Sequence, residues 1–350
     1  VIGRTSFPPH LGRIGRRRPR THPDPVHTRR PGPLSAVIVN PAKVADLATL
    51  RRTITGTLAA AGWPAPLWLE TTVDDPGAGQ ATAAVRDGAE IVLVCGGDGT
   101  VMACVTALAG TGVAMAVLPA GTGNLLAANL GLTGDLATAL KVVLQGGRRH
   151  IDVGTAGDRS FAVMAGMGFD AHMLDATNAT AKKHIGWLAY IGGALRHLRG
   201  RQMRLEITLD DRPPFHRRAR SVIVGNVGRL QGGMRLLHDA RPDDGLLDIA
   251  ILSPSTLWHW AALGWGLLLR RRSVPRMEIL TAARIDIRAS RTQPRQLDGD
   301  LIAPGRRLLI TVRPDALLLC VPQPASAPDL ARGIGTAAAG AEGLREPVHS

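Results

Sequence analysis

The sequence predicts an α/β protein in two parts: a parallel α/β half up to about residue 150, then an antiparallel β half built as a sandwich or barrel. Three observations lead there. Short apolar runs alternate with helix-patterned stretches through Val143, as strands covered by helices on both faces do. Two of those runs, Ile91–Cys95 and Val113–Leu118, end in glycine-rich turns that open directly into helices. After His150 the pattern changes to short strands separated by turns.

Taken in order, Leu34–Val39 is an apolar strand ending in Asn40-Pro41, and Val44–Ala61 has helical spacing. Pro66–Glu70 is a second strand, closed by Thr71-Thr72, and Gln80–Gly88 is a helix leading into Ile91–Cys95. Gly96-Gly97-Asp98-Gly99-Thr100 follows, with a helix over Val101–Leu108. The strand Val113–Leu118 then meets Pro119-Ala120-Gly121-Thr122-Gly123-Asn124 and a helix over Leu125–Leu130. Beyond His150 the expected strands are Ile151–Gly154, Ser160–Val163, Met203–Leu209, Ser221–Val227, Leu247–Leu252, Arg284–Ile287 and Leu308–Val312. A helical insert, Lys182–Leu198, interrupts them.

The chain has 350 residues with 45% hydrophobic content, enough for two domains with their own cores. Aromatic residues make up only 3%, so those cores rest on Ala, Val, Leu and Ile. Cys95, Cys104 and Cys320 are odd in number and lie in apolar context. That argues against a disulfide framework or zinc site and fits a reducing cytoplasm. The formal net charge is +14. Residues 1–34 carry eight arginines against Asp24, which gives +7 and half of the total.

That Arg/Pro-rich arm has no apolar h-region, so it does not read as a signal peptide. It is expected to be disordered, and either touches acidic lipid or nucleic acid or is an extension, even a misplaced start, without a role. Residues 323–350 read as a loose tail. The layout is therefore an arm (1–34), an α/β domain (35–150), a β domain (151–322) and a tail (323–350). Trp258–Leu269 is apolar on most faces and precedes Arg270-Arg271-Arg272. It is too short to span a bilayer, which takes about 20 apolar residues. It reads either as a helix at a membrane interface or as a core helix with a basic end.

The glycine turns carry the chemistry. Gly96, Gly97 and Gly99 let backbone N–H groups approach a bulky anion, and the helix that follows points its N-terminus at the same place. The turn has neither the Lys-Ser/Thr ending of a Walker loop nor the glycine spacing of a dinucleotide fingerprint. An acid inside a phosphate loop repels phosphate unless a cation lies between, so Asp98 points to Mg²⁺; alternatively Asp98 caps the helix of Val101. Asn40 either hydrogen-bonds a nucleotide or is an ordinary turn residue. Further acids stand at Asp152, Asp170, Asp243-Asp244-Gly245 and Asp298-Gly299-Asp300; each Asp-Gly is singly a hairpin signal, and their number raises the functional reading.

In this order, Asn40-Pro41, GGDGT (96–100), PAGTGN (119–124), IDVG (151–154), GMGFDA (166–171), VGNVGRLQGG (224–233), DARPDDGLLDI (239–249) and QLDGD (296–300) resemble the diacylglycerol kinase catalytic-domain family, over roughly Ser35 to Pro322. That family includes bacterial soluble lipid kinases and sphingosine kinases. The resemblance implies an N-terminal α/β nucleotide-binding domain, a C-terminal β-sandwich and ATP in the cleft between them. Asn40, Thr72, Gly96, Gly97, Asp98, Gly99, Thr100, Gly121, Thr122 and Asn124 would then hold ATP.

By the same resemblance Asp98 would act through Mg²⁺ and water, with Asp152 in its network. Asp298 and Asp300 match the segment that supplies the proton acceptor, and the choice between them stays open. Asp244 matches a structural Mg²⁺ ligand, helped by backbone carbonyls of Arg241 and Leu246. The chain departs from the family in three places. Lys43-Val44 stand where many members have a small residue or glycine, Leu125 where many bacterial members have Asp, and Arg241 at a position that is sometimes acidic.

The expected activity is ATP- and Mg²⁺-dependent phosphorylation of a lipid alcohol, diacylglycerol giving phosphatidic acid in the first instance. A sphingoid base or glycolipid as acceptor is the alternative, as is a catalytically weak lipid- or nucleotide-binding regulator. An NAD kinase, which shares GGDGT, fits the β half and the Trp258 segment less well. The expected partners are ATP, the lipid alcohol and an anionic membrane surface on the cytoplasmic face, contacted peripherally. No specific nucleic acid is expected, and a homodimer is left open.

Overall fold

A computed structural model describes residues 32–120, 124–132, 134–168, 202–228, 236–256 and 274–322, with positions 258, 259, 262, 265 and 266. The parallel half runs β1 (Ser35–Val39), α1 (Leu47–Ala60), β2 (Leu67–Glu70), α2 (Ala78–Arg86), β3 (Ile91–Cys95), α3 (Asp98–Leu108), β4 (Ala114–Leu118), α4 (Leu125–Asn129) and α5 (Leu136–Gln145). Its strands lie in the order β2-β1-β3-β4, all parallel.

Every residue of β1, β3 and β4 is buried, because successive side chains serve opposite faces of a covered sheet. Ile38, Val94 and Val117 pack with Val101 and Val105 of α3; Val39, Leu93 and Leu118 pack with Leu58 of α1 and Leu140 of α5. Each such aliphatic side chain contributes about 1.5–3 kcal/mol of transfer free energy. Asp46 and Asp135 cap α1 and α5 by accepting from the amides of Thr49 and Thr138.

The antiparallel half contains β5 (Gly147–Ala156), β6 (Arg159–Phe161), β7 (Met164–Met167), β8 (Met203–Leu209), β9 (Phe215–Ala219), β10 (Ser221–Gly225), β11 (Leu247–Leu252), β12 (Met277–Ala282), β13 (Arg284–Leu297) and β14 (Asp300–Val321). One layer runs β12-β11-β10-β7-β13, and β13 also pairs with β8, which carries β9. β13 belongs to both layers: residues 285–289 pair with β8 and residues 295–297 with β7, with register shifts between Arg288 and Arg295. A bulged strand that changes layer in this way makes the corner of a sandwich. Between the layers lie Met203, Leu205, Ile207 and Leu209 of β8 with Val222, Ile249, Ile285 and Ile310.

β14 joins the halves. It pairs antiparallel with β13 and β5, and then parallel with β4 through Leu318 and Leu319. The expected strands Arg284–Ile287 and Leu308–Val312 are thus the middles of much longer elements. Pro294, Pro304 and Pro314 make the sequence look broken there, yet each stands beside a register shift, where a missing N–H costs the ladder least. β9 (FHRRA) escapes an apolar-run criterion because it is a charged edge strand, tied to β12 by Arg217 on Glu278. The insert Lys182–Leu198, the arm (1–31 of it) and the tail lie outside the described residues. Among the described residues no helix is long and apolar enough to cross a membrane.

Candidate active site

The turn after β3 is pinned from β1. The Asn40 backbone N–H donates to the Cys95 carbonyl (2.9 Å), and its side-chain Nδ2 donates to Thr100 Oγ1 (3.3 Å) at the far end of the turn. Asn40 Oδ1 also accepts from the Ala42 amide (3.1 Å), which starts a one-turn 3₁₀ helix, Pro41–Lys43. Helix α3 begins at Asp98, three residues before its expected start. Its N-cap is Gly97, which has no side chain to occupy the first-turn amides. A Cβ on Gly96 would lie 2.6 Å from Thr100 Cβ, so only glycine fits there.

Among the described residues, a Cβ on Gly97 would meet only Lys43 Cε at 3.9 Å, and one on Gly99 only Asp300 Oδ2 at 3.8 Å. The missing side chains therefore leave space in front of the helix amides, bordered by a lysine and a carboxylate. Asp98 reaches the neighbouring helix: its Oδ1 accepts from the Leu125 amide (2.8 Å) and so ties the two glycine turns together. Asn124 caps α4 through the Ala127 amide (2.9 Å), and its buried Nδ2 has no partner among the described residues. Gly121 and Thr122 lie outside the described residues. The Thr72 hydroxyl accepts from the Asp75 amide (3.0 Å), closing the turn after β2.

Asp298 and Asp300, two residues apart, sit in different environments. Leu297 pairs with Asp300 across a two-residue turn, and Asp298 and Gly299 have φ of 48° and 96°, a type I′ hairpin. Asp298 is 6% exposed, and its carboxylate accepts three backbone amides, from Ala162 (2.9 Å), Val163 (3.0 Å) and Met164 (2.6 Å). Burial pushes this carboxyl up to about 7 and the Asp98 charge adds to the rise, while the three amides pull the other way. The turn carries Asp300 out to Gly99. Gln296, which opens the QLDGD motif without an assigned role, accepts from the Gly299 amide (2.8 Å) and fixes the turn's shape.

A second group of acids is separate in kind. Asp152 is 1% exposed, and its two oxygens accept from the amides of Asp315 (2.9 Å) and Gly245 (2.7 Å). Its own amide donates to the Pro242 carbonyl (2.6 Å). Asp152 therefore straps the 242–245 loop to β5 and β14, and burial raises its pKa, with Asp315 and Asp244 adding charge repulsion. Asp244 Oδ1 accepts from the Leu246 amide (3.0 Å) and its pKa is raised mainly by burial, with Arg241 opposing. Asp243 pairs with Arg149. Asp248 is pushed up to about 7 by burial and by Asp244 and Asp239. Asn226, from the VGN motif, donates to the carbonyls of Asp152 (2.7 Å) and Ala162 (3.1 Å) and so holds the strap in place. Asp170 lies outside the described residues.

The thiols of Cys95, Cys104 and Cys320 are buried, and burial pushes them up to about 11, 12 and 11. None is poised as a nucleophile. Among the described residues no three His, Cys, Asp or Glu side chains cluster as a metal cage.

Two family models match in succession. The diacylglycerol kinase catalytic domain matches residues 35–156, and the YegS C-terminal NAD kinase beta sandwich-like domain matches residues 163–321. A curated "Probable lipid kinase YegS-like" from Pseudomonas savastanoi pv. phaseolicola is 32% identical over 222 residues, 58% of this chain and 68% of that one. One of the same description from Pseudomonas fluorescens is 32% identical over 184 residues, and the match spans 58% of its length. Among solved structures, a diacylglycerol kinase from Bacillus anthracis str. Sterne superposes with a TM-score of 0.63 at 20% identity, covering 84% of this chain and 98% of that one, which speaks to the fold. With its α/β half, its β-sandwich half and both family models in the same order, the chain belongs to the diacylglycerol kinase catalytic-domain family.

Proposed function

We propose that the chain is an ATP- and Mg²⁺-dependent lipid kinase that transfers the γ-phosphate to the hydroxyl of a lipid, diacylglycerol being the first candidate. The observation that carries this reading is the approach of Asp300 Oδ2 to Gly99, which sets a carboxylate at the first turn of α3, where the glycine turn ends. The amides of the 96–100 turn bind phosphate at the N-terminus of α3, and the buried Asn124 Nδ2 supplies an unpaired donor nearby in sequence to Asp98's partner, Leu125. Mg²⁺, when bound, would neutralise the β and γ phosphates, reached through Asp98 and water. Asp300 accepts the proton of the lipid hydroxyl as its oxygen attacks phosphorus, and Asp298 holds the hairpin that presents Asp300. A base of this kind is worth about 10²–10⁴ in rate. Asp244, with the carbonyls of Arg241 and Leu246, would hold a structural Mg²⁺ in the loop that Asp152 straps.

Lipid as acceptor fits the surface. Leu301, next to Asp300, is 49% exposed, and Trp258 and Trp265, seven residues apart in helical positions, are 83% and 58% exposed. Exposed tryptophans followed in the sequence by three arginines suit an anionic bilayer surface. The test is phosphorylation of a panel of lipid alcohols with labelled ATP. Product with diacylglycerol supports the proposal, product only with a sphingoid base or glycolipid moves the substrate, and no product with any lipid overturns it.

A further inference from the structure

Lys43 is the residue at which the site carries a charge that the function above leaves unused. Its backbone is held firmly: the Lys43 amide donates to the Asn40 carbonyl (3.0 Å), and Asn40 is itself bonded to Cys95 and Thr100 at both ends of the glycine turn. The side chain then runs over the turn, so that Cε is the nearest described atom to the place where a Cβ on Gly97 would lie. Among the described residues the Lys43 ammonium has no carboxylate partner, and the residue is exposed. Gly97 is the N-cap of an eleven-residue helix with no side-chain cap, so the lysine side chain passes beside a helix start that carries no capping side chain. The nearest acid in the turn, Asp98, is committed on one oxygen to the Leu125 amide.

We infer that Lys43 is a phosphate-binding residue of this site, giving a point charge to the terminal phosphates of a nucleoside triphosphate at the Gly97 amide. The inference rests on the kinase reading and adds a contact to it. A lysine acts here as a flexible cation, without the bidentate geometry of arginine. It grips the outer phosphates and leaves the nucleoside untouched. Its contribution falls from triphosphate to diphosphate to monophosphate.

Titration calorimetry of the full chain with ATP, ADP and AMP, for wild type, Lys43→Ala and Lys43→Arg, tests this. Lys43→Ala should weaken ATP by about 10-fold and ADP by less, and leave AMP unchanged, while Lys43→Arg stays within about threefold of wild type. Wild-type binding of ATP with equal affinity in Lys43→Ala overturns the inference and leaves the kinase reading standing. So does an equal loss for all three nucleotides, the mark of a structural role. A wild-type protein that binds no ATP overturns both.

Discussion

Asp98-Gly99 and Asp298-Gly299 are the same dipeptide in two regions of the molecule, and their surroundings differ. Asp98 opens a helix whose N-cap is glycine, and the space before it is bordered by Lys43 and Asp300. Asp298 forms the left-handed corner of a hairpin, and its carboxylate is taken up by the amides of residues 162–164. The dipeptide does not decide the role; the setting of the carboxylate does. Asp298 is held by three backbone amides inside its own half, whereas Asp98 reaches across to the Leu125 amide and ties two glycine turns together.

Four changes break or sharpen the comparison, the largest first. Asp98→Asn keeps the oxygen that accepts from Leu125 and removes the charge. Transfer to lipid should fall by about 10³-fold or more, with the melting temperature within about 2 °C of wild type. Undiminished transfer would take Asp98 out of the mechanism. Asp298→Ala strips three buried amides of their acceptor, each orphan costing about 1–3 kcal/mol. Urea unfolding should show a loss of about 3 kcal/mol or more, and a loss under 1 kcal/mol would place Asp298 outside the architecture.

The third change is in pH. The Asp298 carboxyl titrates near 7 when folded, against about 3.9 unfolded. Its folded pKa is raised, so the stability it contributes is complete below about pH 4 and is lost as pH rises through 7. Wild type should therefore resist urea better at pH 5 than at pH 8, with a smaller difference in Asp298→Asn. An identical pH slope in the two proteins would assign the titration elsewhere. The smallest effect is that of Asn40→Ala, which removes the Thr100 contact and the cap on Ala42. About 1 kcal/mol, or an approximately fivefold weaker ATP complex by calorimetry, is expected.

Much of this was legible where the physics is local. β3 and β8 span the residues their patterns predicted, because an unbroken apolar run or a strict in–out alternation needs no tertiary context. Helix α3 was read three residues short, because Gly97 as N-cap lacks the side-chain signature of a helix start. β13 and β14 were read as fragments, because Pro294, Pro304 and Pro314 are tolerated only at bulges that pairing creates. Asp298 and Asp300 were indistinguishable in the sequence. Only the I′ turn, which sends one carboxylate inward and the other to Gly99, separates them. Lys43 read as a departure from the family pattern, and its position over Gly97 depends on hydrogen bonds that span 60 residues of chain.

The central claim is that Asp300 takes the proton from the lipid hydroxyl in front of the glycine turn. The most direct test is single-turnover transfer from ATP to the accepted lipid by Asp300→Asn, with ATP affinity and melting temperature measured on the same sample. The account predicts a rate lower by about 10²–10⁴ with both other quantities unchanged. A rate within about threefold of wild type would contradict it.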